Sequence, residues 1–314
     1  MSHYQFSTLP LRDSTFVTLQ HWLPKLALTR LAGAVAGWRG GAITQWIIRR
    51  FVAKYGVNMA EALQPRVETY ATFNEFFTRA LRADARPMPA GKEAPWLCPV
   101  DGAISQFGPI ERDQIFQAKG HQYSTRALVG GDATLAAQFD DGAFATLYLS
   151  PRDYHRIHMP VGGTLTRMIY VPGTLYSVNP ATARGIPGLF ANNERVVCVF
   201  DTANGPFVLA LVGATIVGSM ATVWHGVVNP PRTGNLRDWR YGNSTGDEKP
   251  VALKRGDEMG RFLLGSTVVM LWPKDVLQFN PQWAPGNPVQ LNELMATGAN
   301  ASSAQWRRRD PDAR

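Results

Sequence analysis

From Phe16 to Leu31 the apolar positions Phe16, Leu19, Leu23, Leu26, Ala27 and Leu31 recur every three or four residues, with Thr18, His21, Lys25 and Thr29 opposite them. That spacing predicts an amphipathic helix. Pro24 lies inside it and predicts a kink or a restart. A second apolar stretch, Ile43 to Val52, also reads as helical, with Arg50 and Lys54 near its apolar side. Neither stretch is long and charge-free enough to span a bilayer. Residues 66–82 read as a further helix, in which Thr72 caps a turn holding Phe73, Phe76, Phe77 and Leu81 and Glu75 sits three residues on. Residues 84–99 are rich in Pro and Ala and read as a linker.

Beyond Val100 the pattern changes. Short apolar runs, among them Ala143–Leu149, Thr164–Val171, Arg195–Phe200, Phe207–Val212 and Phe262–Leu271, are broken by Gly and Pro. Such runs predict a β-rich barrel or sandwich. The fold class is therefore α+β, a β-rich, barrel-like body (84–283) preceded by N-terminal amphipathic helices (1–83). Residues 284–314 are polar and read as a disordered tail. The uncharged stretch from Thr202 to Pro231 could pass for a spanning helix, but its glycines, its β-branched residues and His225 predict strands.

Composition sharpens the picture. With 314 residues, 45% apolar and 18% charged, the chain can bury a sizeable core. Two distant cysteines, Cys98 and Cys198, exclude a disulfide scaffold and a cysteine zinc ribbon and suit a reducing compartment. No secretory signal is expected. The net charge is +8. Its excess lies in the first 60 residues, where Arg12, Lys25, Arg30, Arg39, Arg49, Arg50 and Lys54 face one acid, Asp13. Interleaved with Phe16, Trp22, Trp38, Trp46 and Phe51, those cations predict a segment lying on an anionic bilayer. A helical hairpin packed on its own core is the alternative. Nucleic acid is the weaker partner, because no binding motif accompanies the charge.

Three segments carry candidate chemistry. They are Pro99-Val100-Asp101-Gly102, then Ser150-Pro151-Arg152-Asp153-Tyr154-His155-Arg156-Ile157-His158-Met159-Pro160, and then Gly260–Val269 with Gly265-Ser266 at its centre. Together they offer an acid, two histidines and a serine, and such sets are recognised by geometry rather than chain order. Each has an ordinary reading beside it. Asp101-Gly102 suits a turn, His155 a solvated loop, and Gly265-Ser266 a bulge. His155 and His158 could share a metal, but no third ligand stands at metal spacing. On a helical turn the two rings would share a side, and on an extended chain they would face opposite ways. Spacing alone leaves serine or histidine chemistry open.

Residues 149–160 and Phe262-Leu263-Leu264-Gly265-Ser266-Thr267 resemble the signature stretches of bacterial phosphatidylserine decarboxylases. Lys119–Ser124, Tyr170-Val171-Pro172-Gly173, Asn193-Glu194-Arg195, Val212–Ser219, Leu23–Gly33 and Thr72–Phe77 are similar to that family too, in order, from about residue 20 to residue 272.

The resemblance implies a chain that cuts itself between Gly265 and Ser266, leaving a β chain (1–265) and an α chain (266–314). Ser266 Oγ attacks the Gly265 carbonyl, the ester undergoes β-elimination, and loss of ammonia leaves a covalent pyruvoyl group at residue 266. The resemblance further implies that His158 is the base for this step, oriented by Asp101, and that His155 serves turnover. Phosphatidylserine becomes phosphatidylethanolamine and CO2 through a Schiff base to the pyruvoyl ketone, an electron sink in place of pyridoxal phosphate. No metal is expected. The substrate implies a peripheral protein on the cytoplasmic face of the inner cell membrane; a homodimer is left open, since the sequence does not give the oligomeric state. Two other readings are a non-processing, membrane-docked lipid-binding module and a soluble pyruvoyl amino-acid decarboxylase. The intact Gly265-Ser266-Thr267 argues against the first and the basic N-terminus against the second.

Overall fold

The computed structural model describes residues 11–89, 96–215, 219–242, 249–263 and 267–299. Four helices open the chain: α1 (Leu11–Trp22), α2 (Lys25–Gly37), α3 (Ala42–Tyr55) and the short α4 (Phe73–Phe77). The break between α1 and α2 falls at Pro24, whose missing N–H is tolerated only where a helix begins. α3 stops at Gly56, which takes the left-handed conformation that ends helices.

The body contains the strands β1 (Gly102–Pro109), β2 (Ala143–Tyr148), β3 (Arg156–His158), β4 (Gly163–Val171), β5 (Arg195–Thr202), β6 (Gly205–Val212), β7 (Met220–Thr222), β8 (Gly226–Asn229), β9 (Arg237–Arg240), β10 (Val251–Leu253), β11 (Glu258–Phe262), β12 (Thr267–Trp272) and β13 (Pro288–Val289). Nine of them form one sheet in the order β9-β4-β5-β6-β12-β2-β1-β13, with β10 also pairing β4. A smaller sheet runs β8-β7-β11-β3. All these pairings are antiparallel.

The unbroken apolar runs of β5, β6 and β12 have a simple cause. These strands are buried on both faces. Val196, Cys198, Phe200, Leu209, Leu211, Val268 and Met270 point into a core shared with Ile157, Met259 and Phe262 of the small sheet. Val197, Val199, Val208, Ala210, Val269 and Leu271 point into a second core on the opposite face, under Leu128, Leu135 and Phe190. The uncharged stretch after Thr202 folds as β6, β7 and β8, in agreement with the strand reading. Among the described residues no helix is long and apolar enough to cross a membrane.

Three expectations need correction. Residues 66–82 are not one helix but a 3-10 turn, Val67–Thr69, followed by α4. Thr72 does cap α4, accepting from the Glu75 N–H at 3.1 Å, while Glu75 accepts from the Ala71 N–H at 2.8 Å. The helix ends early because Leu81 and Arg82 leave to bond the 61–63 segment. The 84–99 stretch is not a free linker, since Arg86 is held in a buried ion pair. Residues 284–299 are not a disordered tail. β13 pairs with β1, and Leu294–Gly298 lies between Trp96-Leu97 and Leu277–Phe279. Their polar average conceals Val289, Leu291, Met295 and Ala296, all buried. Residues 300–314 lie outside the described residues.

The N-terminal helices pack as part of the body. Val17 of α1 joins the outer core, Asp13 pairs with Arg184, and Gln20 accepts from the Ser177 N–H. α2, α3 and α4 share a cluster around Ile48, Phe73, Phe76 and Phe77.

A chain ending at residue 283 is expected to unfold at markedly lower urea, because each large apolar side chain removed from the core forfeits roughly 1.5–3 kcal/mol. Denaturation followed by tryptophan fluorescence checks this. Stability equal to that of the full chain would contradict the pairing of β13 and Leu294–Gly298.

Candidate active site

The histidine motif forms the edge of the small sheet. Ser150–Asp153 make a turn in which the Ser150 N–H donates to Asp153 Oδ2 at 2.6 Å. The chain then extends into β3, whose register with β11 pairs His158 with Glu258. Because the segment is extended, the two rings part company. His155 is fully buried, its ring centroid 4.0 Å from that of Phe77 in α4. His158 faces Tyr154 and the turn at Gly256.

Each imidazole has its tautomer set by a carbonyl, which can only accept. His155 Nδ1 bonds the Asp153 carbonyl at 2.8 Å, so Nε2 carries the lone pair. That Nε2 is buried and has no hydrogen-bond partner among the described residues. His158 Nδ1 bonds the Gly256 carbonyl at 2.8 Å, and its Nε2 lies 3.0 Å from the Tyr154 hydroxyl. Gly256 has a φ of 84°, which a glycine adopts freely and which turns its carbonyl toward the ring.

Burial pushes the His155 imidazole down to about 3, and the Asp153 carbonyl bond only partly opposes this. Burial also lowers His158, against the opposing effects of the Gly256 carbonyl and the Glu258 charge. Both rings are therefore neutral at pH 7. Burial raises the Asp153 carboxyl and the Tyr154 phenol above their ordinary values.

Asp101 lies just ahead of β1. Gly102 is required there by close approach rather than by a turn, for a Cβ would sit 2.4 Å from the Tyr148 carbonyl oxygen. The expectation that Asp101 orients His158 is not met in this structure. Its carboxylate is occupied by the Arg86 fork, Nε to Oδ1 at 2.9 Å and Nη2 to Oδ2 at 2.6 Å, and by the Leu291 N–H at 2.8 Å. Arg86 Nη2 also reaches Glu61 Oε2 at 3.0 Å. A planar guanidinium satisfies a carboxylate better than one imidazole N–H can, and the Gly256 carbonyl fills the place on Nδ1. Asp101 and Tyr154 nevertheless line one cavity of about 270 Å³, with Arg79, Arg86 and Asp153. A larger groove of about 620 Å³ lies elsewhere, around Asp132, Arg167 and Arg240. Its lining holds no Ser, Cys or His among the described residues, and Arg167 is already paired with Asp132 and Asp238.

Gly265 and Ser266, the expected cleavage site, lie outside the described residues. Their flanks are well placed. The Phe262 N–H donates to the His155 carbonyl at 3.0 Å and the Leu263 N–H to the Ser219 carbonyl at 3.0 Å. Thr267 pairs with Tyr148 on one side and Val212 on the other. Phe262, at the end of β11 in the small sheet, and Thr267, the first residue of β12 in the large one, stand on either side of that position in the chain. Among the described residues Thr267 Oγ1 is buried without a hydrogen-bond partner, as is His155 Nε2. Among the described residues no group of three or more His, Cys, Asp and Glu could hold a metal ion.

Reading the sequence missed Tyr154, Arg86 and Phe77. Tyr154 stands inside the quoted motif, four residues before His158, and only its aromatic character hid its polar use.

The phosphatidylserine decarboxylase family model matches residues 73–297, and a second model, described as PSD, matches residues 15–56. The chain is 67% identical over 288 residues to the phosphatidylserine decarboxylase proenzyme of Variovorax paradoxus (strain S110), covering 92% of this chain and 99% of that one. Identity is 69% over 284 residues to the proenzyme of the same name from Albidiferax ferrireducens, 90% and 97% covered, and 63% over 288 residues to that from Dechloromonas aromatica, 92% and 99% covered.

Both histidines are neutral when folded and would bind protons when unfolded. Stability is therefore expected to fall as pH drops below about 6.5, by up to about 1.4 kcal/mol per pH unit for each ring. Thermal melts between pH 7 and pH 4 check this. His155→Gln should flatten the dependence, and an unchanged slope would mean that His155 titrates normally in the fold.

Proposed function

The chain belongs to the phosphatidylserine decarboxylase family, and from that membership we propose that it is a proenzyme that cuts itself at Gly265-Ser266 and then converts phosphatidylserine to phosphatidylethanolamine and CO2. The observation that carries the reading is the similarity to decarboxylase proenzymes along nearly the whole chain, across both the histidine motif and Gly265-Ser266-Thr267.

In the processing step Ser266 Oγ attacks the Gly265 carbonyl and its proton passes to neutral His158, whose Nδ1 proton is anchored on Gly256. The C–N bond gives way to an ester, and elimination leaves a carboxylate on Gly265. Loss of ammonia with uptake of water caps residue 266 with a pyruvoyl group. That group supplies an electron sink for the pair released when CO2 departs. His155 presents a buried, unprotonated Nε2 beside Phe77, suited to taking up a proton and then returning it to the α-carbon. Asp101, fixed by Arg86, adds a negative charge that favours the imidazolium form of His158.

The helices suit a substrate that stays in the bilayer. Trp22 is 83% exposed, and Leu19, Leu31, Trp38, Ile43 and Trp46 are exposed on α1–α3 and the α2–α3 link. Arg30, Arg39 and Arg50 lie in the same segment. This supports peripheral docking on an anionic membrane, at the cytoplasmic face of the inner membrane.

Ser266→Ala should remain a single full-length band on denaturing gels and lack decarboxylase activity, where the wild-type chain gives two unequal bands. Cleavage in that variant would place the nucleophile elsewhere. His155→Ala should still process but decarboxylate at least about a hundredfold more slowly, measured as CO2 release. Trp22→Asp with Trp46→Asp should weaken flotation with phosphatidylserine-containing vesicles. Undiminished flotation would remove these helices from the docking surface.

A further inference from the structure

We propose that Tyr154 is the proton relay of His158: the proton that the histidine accepts comes from the Tyr154 hydroxyl, which takes in exchange the proton of the attacking group. The inference rests on the self-processing reading above and adds a residue to it.

The Gly256 carbonyl at 2.8 Å holds the Nδ1 proton, so a neutral His158 presents only the Nε2 lone pair. That lone pair is taken. Tyr154 Oη lies 3.0 Å from Nε2, and since the nitrogen there has no proton the phenol is the donor. Tyr154 is 5% exposed, so the phenol is locked in place. A base whose lone pair is already occupied receives a proton either after its partner swings away or through that partner. A buried tyrosine ring does not swing without opening the packing around it. Transfer through it needs only that the two oxygens and the nitrogen stay in line.

The charged groups around the ring do not offer another route. Glu258, opposite His158 in the register, is held by Arg156 at 2.8 Å and by Arg261 at 2.8 Å. Asp101 is held by Arg86 and the Leu291 N–H. Tyr154 also lines the 270 Å³ cavity shared with Asp101, whereas His158 does not, so the tyrosine is the member of the pair that borders that space.

The step balances. The attacking hydroxyl loses its proton to Tyr154 Oη as Tyr154 loses its own to His158 Nε2. The phenol is regenerated, the imidazole becomes imidazolium, and the freed electron pair forms the new C–O bond while the carbonyl π pair moves to oxygen. In the reverse direction the imidazolium returns the proton through the same phenol to the departing amine nitrogen. The raised phenol pKa does not obstruct this, because no tyrosinate accumulates when both transfers are concerted.

Tyr154→Phe removes one oxygen and keeps the ring. The full chain is made by cell-free translation, and conversion to two fragments is followed by pulse–chase in H2O, in D2O and in mixtures of the two. The expected result is processing slowed by about a hundredfold or more. The dependence on deuterium fraction should change from the curved form of two protons in flight to the straight line of one. Processing within about threefold of wild type overturns the proposal. So does a slow variant whose curve keeps its wild-type shape, which marks a packing defect. If the phenylalanine variant melts below the wild type, 3-fluorotyrosine at 154 takes its place. A rate unmoved by that more acidic phenol overturns the proposal, and a shifted rate supports it. Failure of the broader reading would look different, because Ser266→Ala would then still be cut.

Discussion

Every feature of the site hangs from the strand β12, which is hydrogen-bonded on both edges and buried on both faces. Thr267–Trp272 pairs with Ala143–Tyr148 on one side and Val208–Val212 on the other, and all six of its residues are buried. A strand held in this way cannot shift register without exposing an entire apolar face. Its first residue is therefore a fixed point. The proposed cut, between Gly265 and Ser266, precedes it in the chain. β13 and Leu294–Gly298 pair with the rest of the body, so residues 267–299 have anchors of their own besides the peptide bond proposed to be cut.

The second constraint is dryness. The site sits at the seam between the two sheets and under α4, where Phe77 covers His155. Burial makes ionisation of the histidines costly and keeps them as neutral bases. The same burial makes unpaired polar atoms costly, which is why carbonyls at Asp153 and Gly256 fix the tautomers and why His155 Nε2 and Thr267 Oγ1, among the buried atoms without a partner in the described residues, stand out. The helices belong to this economy as well. α4 covers the histidine pocket, while α1 packs on the outer core and turns its uncommitted apolar residues outward.

Much was readable from the chain. The heptad-like spacing in residues 16–31, the break at Pro24 and the capping pair Thr72 and Glu75 are local, and each appears where it was expected, because helix starts and stops depend on neighbours within one turn. The apolar runs of β5, β6 and β12 announced buried strands, and the quoted motifs carried the family. Residues 284–299 misled, since a run whose apolar positions are sparse looks like a tail until partner strands are known to bury them. The 66–82 stretch misled for a related reason, its helical propensity being overruled by long-range bonds from Leu81 and Arg82.

The chain alone determined most of the elements, the basic and apolar-rich character of the N-terminus and the list of reactive residue types, all of which follow from side-chain chemistry and short-range spacing. It could not say who touches whom. That Asp101 answers to Arg86, that Gly256 supplies the carbonyl for His158, and that Tyr154 occupies the histidine's free nitrogen are contacts between residues 4 to 98 positions apart. Such contacts exist only once two sheets and a helix have been packed together. Hydrogen bonds are directional and short, so the choice among several acceptors within reach is made by packing to within an ångström, and no pattern of residue types along the chain encodes it.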